Sequence, residues 1–152
     1  MKRASILSLL SLAVLAVIAH AHVVVRPAES RTGLVQKYTM RVPNEKQVVT
    51  TSVELAFANE IAIRSVDELA GWKLTLKKDS QGRIEGATWT GSLAPREVAE
   101  FTFSGQNSAT PGVIEWKAVQ TYQDGSKSEW TGAEGTRTAA SRTKIIGTDS
   151  GK

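Results

Sequence analysis
Cysteine is absent from this 152-residue chain. That removes disulfides, thiolate metal sites, iron–sulfur clusters and cysteine nucleophiles together. Histidine is nearly absent too, since His20 and His22 are the only two. Sites built from several well-separated imidazoles are therefore excluded, and a serine triad has no spare histidine. Methionine is limited to Met1 and Met40, so soft thioether ligands for a metal are scarce. No basic stripe with interleaved aromatics appears, which argues against nucleic acid as a partner. No paired carboxylates stand in a setting that would serve hydrolysis. Beyond residue 21, no segment sustains a helical period or is long and apolar enough to cross a bilayer.

What is present suits one domain. Hydrophobic residues make up 41% and charged residues 22%, a globular composition. The length supports a real core without covalent staples.

The N-terminus reads as an export signal over 1–21. Lys2 and Arg3 precede an apolar run from Ile6 to Ile18, and Ala19-His20-Ala21 supplies the small-x-small pattern of a cleavage site. Cleavage between Ala21 and His22 places the protein in the periplasm or outside the cell. It also removes Lys2 and Arg3, lowering the formal net charge of +4 by two units.

The rest of the chain reads as β structure. Alternating or β-branched segments predict strands at 22–26, 36–42, 48–57, 72–78, 83–90, 98–104 and 113–122, with a short one at 126–130. Turn residues separate them, among them Pro43-Asn44, Thr110-Pro111-Gly112 and Asp124-Gly125. Seven to eight such strands predict an all-β, antiparallel β-sandwich of immunoglobulin or cupredoxin type. The domain spans 22–132. Residues 133–152 are polar and lack aromatics, and are expected to form a flexible tail.

Chemistry gathers at the new N-terminus. A mature chain starting at His22 offers two nitrogen donors from one residue, the α-amine and the imidazole. Amine and Nδ1 close a six-membered chelate ring with a metal, whereas Nε2 cannot reach. The pair suits Cu(II), which heads the divalent affinity order. The α-amine has a pKa of about 7.7–8.0, so it is mostly protonated near neutrality, but its proton lies so close to release that a metal displaces it at a cost of only about one log unit of affinity. The alternative is that a leader merely ends before a histidine. A cut after Ala19 would instead expose His20-Ala21-His22, also a Cu(II) or Ni(II) chelate.

An anionic partner would balance the charge. Glu45, in Val42-Pro43-Asn44-Glu45 just past a strand end, is the favoured candidate. Glu29, Glu54, Glu115 and Glu129 compete with it, and most glutamates are simply solvated. Trp89 and Trp116 read as core, and Trp72 as packing. Trp130 lies past the Asp124-Gly125 turn, where an indole face could cover a cation. Asn44 and Tyr122 could supply supporting hydrogen bonds.

These pieces occur in a familiar order: Ala21-His22-Val23-Val24-Val25-Arg26-Pro27, then Tyr38-Thr39-Met40-Arg41-Val42-Pro43-Asn44-Glu45, Gly71-Trp72, Trp89-Thr90-Gly91, Phe101-Thr102-Phe103, and Trp116 through Ser126 to Trp130. The sequence resembles the YcnI-like copper-binding domains of bacteria. The resemblance implies an exported β-sandwich that binds one Cu(II) per chain through a single-histidine brace. His22 would give amine and imidazole, Glu45 the carboxylate, and Trp130 would sit against the metal.

The expected task is copper storage, scavenging or delivery, with copper chaperones or membrane copper transporters as partners, and not catalysis. A polysaccharide monooxygenase also begins with histidine but needs a second, distant imidazole. A copper-independent interaction module is the competing reading, since β-sandwiches host many such roles.

Overall fold
The computed structural model describes residues 22–148. The export signal expected over 1–21 lies outside the described residues, and His22, expected to follow its cleavage site, lies within them. Eleven strands follow: β1 (Val24–Arg26), β2 (Glu29–Arg31), β3 (Val35–Pro43), β4 (Thr50–Ala56), β5 (Ile61–Val66), β6 (Lys73–Lys78), β7 (Ile84–Leu93), β8 (Val98–Asn107), β9 (Gly112–Tyr122), β10 (Lys127–Trp130) and β11 (Ser141–Ile146). They form two facing sheets. One has the order β1-β3-β8-β5, the other β2-β11-β9-β4-β7-β6, with β10 also paired to β9. All pairings are antiparallel except that of β2 with β11. The molecule is the all-β sandwich expected, with more strands.

Alternation explains the layers. Along β3, Tyr38, Met40 and Val42 are buried while Lys37 and Arg41 face out. Along β9, Ile114, Trp116, Ala118, Gln120 and Tyr122 all point inward. Aromatics lock the sheets together. Tyr38 meets Trp116 at 4.9 Å between ring centroids, and Phe101 meets Trp89 at 4.7 Å. Trp89 and Trp116 are core, as expected, and half-buried Trp72 packs edge-on against Phe101. Each large buried side chain contributes roughly 1.5–3 kcal/mol of transfer free energy.

Two short strands share one edge of β9. β11 pairs with its first half, where Ser141 faces Trp116 and Thr143 faces Ile114. β10 pairs with its second half, where Trp130 faces Ala118 and Ser128 faces Gln120. Residues 131–140 therefore have to leave the sheet and re-enter it.

This corrects the expectation of a flexible tail over 133–152. Within it, Ala140, Thr143 and Ile145 are buried, and β11 is an integral strand. The segment looked polar because its buried positions do polar work. Thr143 Oγ1 accepts from Trp116 Nε1 at 2.9 Å and donates to the Pro27 carbonyl at 2.8 Å. The ordered domain thus runs past residue 132.

Thr143→Val keeps the side-chain shape and strands the buried Trp116 donor and the Pro27 carbonyl. A loss of about 1–3 kcal/mol in denaturant unfolding is expected. Unchanged stability would mean that the segment is not part of the cooperative fold.

Candidate metal centre
Strand register brings His22 to one rim of the sandwich. β1 pairs with β3 so that Val24 faces Arg41 and Val25 faces Met40. Carried two residues back, that register sets His22 beside Pro43, the last residue of β3. The chain then turns through Asn44 to Glu45. Asn44 is buried and fixes this turn from within. Its Nδ2 donates to the carbonyls of Val48 at 2.8 Å and Leu93 at 2.9 Å. Its Oδ1 accepts from the Lys46 amide at 3.0 Å. Glu45 thus stands exposed on a pinned loop.

The other sheet delivers Trp130. The β9–β10 hairpin turns at Asp124-Gly125, where Gly125 takes the positive φ of 82° that side chains resist. Asp124 Oδ1 holds the Ser126 amide at 2.9 Å across the turn. Trp130 faces Ala118 on the inner side of β10, and Glu129 faces out.

His22 meets Trp130 with ring centroids 5.1 Å apart and planes at 66°, an edge-to-face contact. Its Nε2 lies 2.8 Å from the main-chain carbonyl of Arg137. A carbonyl only accepts, so Nε2 carries the hydrogen of this bond. In the neutral ring Nδ1 is then the nitrogen with the lone pair. Nδ1 is also the nitrogen able to chelate a metal together with the residue's own amine.

Polar groups support this rim. Gln120 is buried and donates Nε2 to the Pro43 carbonyl at 3.2 Å and to Thr50 Oγ1 at 2.7 Å. It ties β9 to the end of β3, beside His22. The Tyr122 hydroxyl lies 3.0 Å from Ser128 Oγ. The Lys46 ammonium sits 4.2 Å above the Tyr122 ring and donates to Ser126 Oγ at 3.1 Å. Burial raises the Tyr122 pKa, the Ser128 bond opposes that, and the negative charge of Glu45 adds to the rise. Glu45 and Tyr122 therefore feel one another at this end. Gln120 Oε1 and Trp130 Nε1 are both buried with no hydrogen-bond partner among the described residues. Such orphans are few in folded proteins and call for an explanation.

The competing carboxylates are placed elsewhere or otherwise engaged. Glu54 and Glu129 are exposed on outward faces of their strands, and Glu29 is exposed on β2. Glu115 pairs with Arg142. Among the described residues, no three His, Cys, Asp or Glu side chains group into a metal cage. The carbonyl of Arg137 was not foreseen from sequence, because a main-chain acceptor leaves no residue-type signature.

The fold and rim define a class: immunoglobulin-like sandwiches with a histidine and a tryptophan joined at one end. The chain belongs to the family described as a domain of unknown function, DUF1775, whose model matches residues 22–144. This is the YcnI-like family that the order of motifs pointed to. The chain is 37% identical over 130 residues to the copper-binding protein CutI of Bacillus subtilis (strain 168), covering 84% of this chain and 63% of that one. It therefore spans less than two thirds of that relative's length. A solved structure of an uncharacterized protein from Nocardia farcinica with an immunoglobulin-like fold superposes with a TM-score of 0.71 at 21% identity, over 82% of this chain and 97% of that one. A cohesin module from a Clostridium perfringens family 33 glycoside hydrolase gives a TM-score of 0.54 at 10% identity, over 84% and 97%. These two likenesses speak for the fold alone.

Tyr122 and Tyr38 are the chain's two tyrosines, and burial raises both above the ordinary 10.0. The folded state holds these protons more tightly than the unfolded state does. The resulting stability is whole below the ordinary value and is lost as pH rises through the folded values. Phenolate absorbance of the native protein should appear later on an alkaline titration than that of the urea-unfolded chain. Coincident curves would contradict the burial of both hydroxyls.

Proposed function
We propose that this protein is an exported carrier or store of one Cu(II), held at the rim by His22 and Glu45 with Trp130 against it. Export supplies the chemistry, because cleavage between Ala21 and His22 creates the α-amine that completes the chelate. Periplasmic or extracellular location follows from the same step. Copper is cargo here, and no catalytic step is assigned.

The observation that carries this reading is the contact of His22 Nε2 with the Arg137 carbonyl. It commits the nitrogen that cannot chelate and leaves Nδ1 as the lone-pair donor. Three further points support it. Glu45 stands on the loop that follows the residue beside His22, and an anionic oxygen offsets the metal's charge. Trp130 is already in contact with the imidazole. Met40 is fully buried in the core, so the one methionine of the mature chain is not displayed as a soft ligand for Cu(I). Binding that favours Cu(II) makes reduction a route to release toward a copper chaperone or a membrane copper transporter. The relative's printed name agrees with copper as the ligand. No helix among the described residues is long and apolar enough to cross a membrane.

Mass analysis of the exported protein should find His22 first. Cu(II) competition titration of that material should give one site per chain. One added N-terminal glycine should weaken it by more than the 10–100-fold typical of losing a supporting contact, since a ligand itself is lost. Glu45→Gln should weaken it as well. Equal affinity with and without the extension would overturn the brace and favour a copper-independent interaction module.

A further inference from the structure
The loop at 131–140 leaves β9's edge between β10 and β11, and main-chain hydrogen bonds close it on itself. The Gly132 amide donates to the Thr138 carbonyl at 2.8 Å, and the Ala140 amide donates to the Gly132 carbonyl at 3.0 Å. Gly132 and Ala139 form an isolated bridge. The Thr136 hydroxyl turns back to the Ala133 carbonyl at 2.7 Å. A side chain at position 132 would force its neighbours to shift. A Cβ there would lie 2.7 Å from Thr136 Oγ1, 2.9 Å from Thr138 Oγ1 and 3.0 Å from the Thr138 carbonyl oxygen. Thr138 directly follows Arg137, whose carbonyl holds His22.

The outside of the loop is clasped as well. Arg142, at the start of β11, donates Nη1 to Glu134 at 2.8 Å and Nη2 to Glu115 on β9. Glu115 is opposite Arg142 in the β9–β11 register, so the guanidinium is seated on the sheet before it reaches the loop. Glu134 is exposed, so its bond is worth at most about 1 kcal/mol in energy. Its use is geometric.

We propose that this loop is a positioning device for the metal centre: closed by Gly132 and clasped by Arg142, it fixes the tautomer and direction of the His22 ring before any metal arrives. The inference rests on the copper reading above and deepens it. Displacing the Arg137 acceptor removes the bond that favours hydrogen on Nε2, and the share with the lone pair on Nδ1 falls. A binding-competent state that is only partly populated weakens apparent affinity in proportion. Gly132 and Arg142 touch no metal in this scheme. They act through the main chain of residue 137.

The test reads the ring directly. Nitrogen-15 NMR of the metal-free protein starting at His22, above the imidazolium range, should show one tautomer with hydrogen on Nε2. In Gly132→Ala the two ring-nitrogen shifts should move toward each other, and Cu(II) affinity should fall about twofold through the tautomer share alone and up to about tenfold where the ring also loses its direction, at unchanged stoichiometry. Retention of the single tautomer with wild-type affinity would overturn the proposal. If Gly132→Ala does not fold, Arg142→Gln decides by the same readings, because that half-buried side chain alternates with the inward-facing Thr143 and lies outside the hydrophobic core. The tautomer is read without copper. A fixed Nε2–H tautomer that Gly132→Ala scrambles, in a protein that binds no copper, would sink the copper reading and leave the positioning role standing.

Discussion
The hydrogen bond between His22 Nε2 and the Arg137 carbonyl decides which nitrogen of the His22 ring can accept a metal. A neutral imidazole has one donor and one acceptor nitrogen, and a carbonyl accepts only. Once Nε2 is committed, the remaining lone pair sits on Nδ1, on the side that can share a metal with the residue's own amine. The edge contact with Trp130 gives the ring a second reference. Two contacts from two different segments thus orient a side chain that stands just ahead of the first strand.

Both contacts trace to one strand. β9 is eleven residues long and carries two short partners end to end on one edge. β10 supplies Trp130, and the segment that must loop out before β11 supplies the Arg137 carbonyl. The inner face of the same strand supplies Gln120 and Tyr122. Gln120 reaches the carbonyl of Pro43, so β9 also holds the end of β3 from which Glu45 departs. The rim is therefore framed by the sheet itself, with loops only completing it. The core behind it, with Tyr38 against Trp116 and Trp89 against Phe101, sets the spacing of the two sheets.

Much of this was legible in the sequence. The strands with strict alternation were, because a face buried against another sheet imposes period two. β5 was not, although Ile61 and Ile63 point inward, because a register shift after Ile63 cuts its pattern short. β2 has three residues and exists through its parallel pairing with β11, a partner more than a hundred residues away, so no local signal announces it. β11 was mistaken for a tail because Thr143 is a buried hydrogen-bonding residue and not an apolar one. At the rim, residue types made His22, Glu45 and Trp130 candidates among several, and the resemblance carried by the order of motifs set them ahead of the others. The parts that orient the histidine were not readable. A main-chain carbonyl has no code, and the need for glycine at 132 comes from Thr136 and Thr138 folding back over it.

Pulsed electron paramagnetic resonance on the Cu(II)-loaded protein starting at His22, prepared with nitrogen-15 histidine, tests the central claim most directly. His22 is then the only labelled residue, since His20 is lost with the leader. Binding by amine and Nδ1 predicts two strongly coupled nitrogens that both change with the label, and a weakly coupled third from Nε2. One strongly coupled labelled nitrogen, or none, would contradict a chelate built on the first residue of the chain.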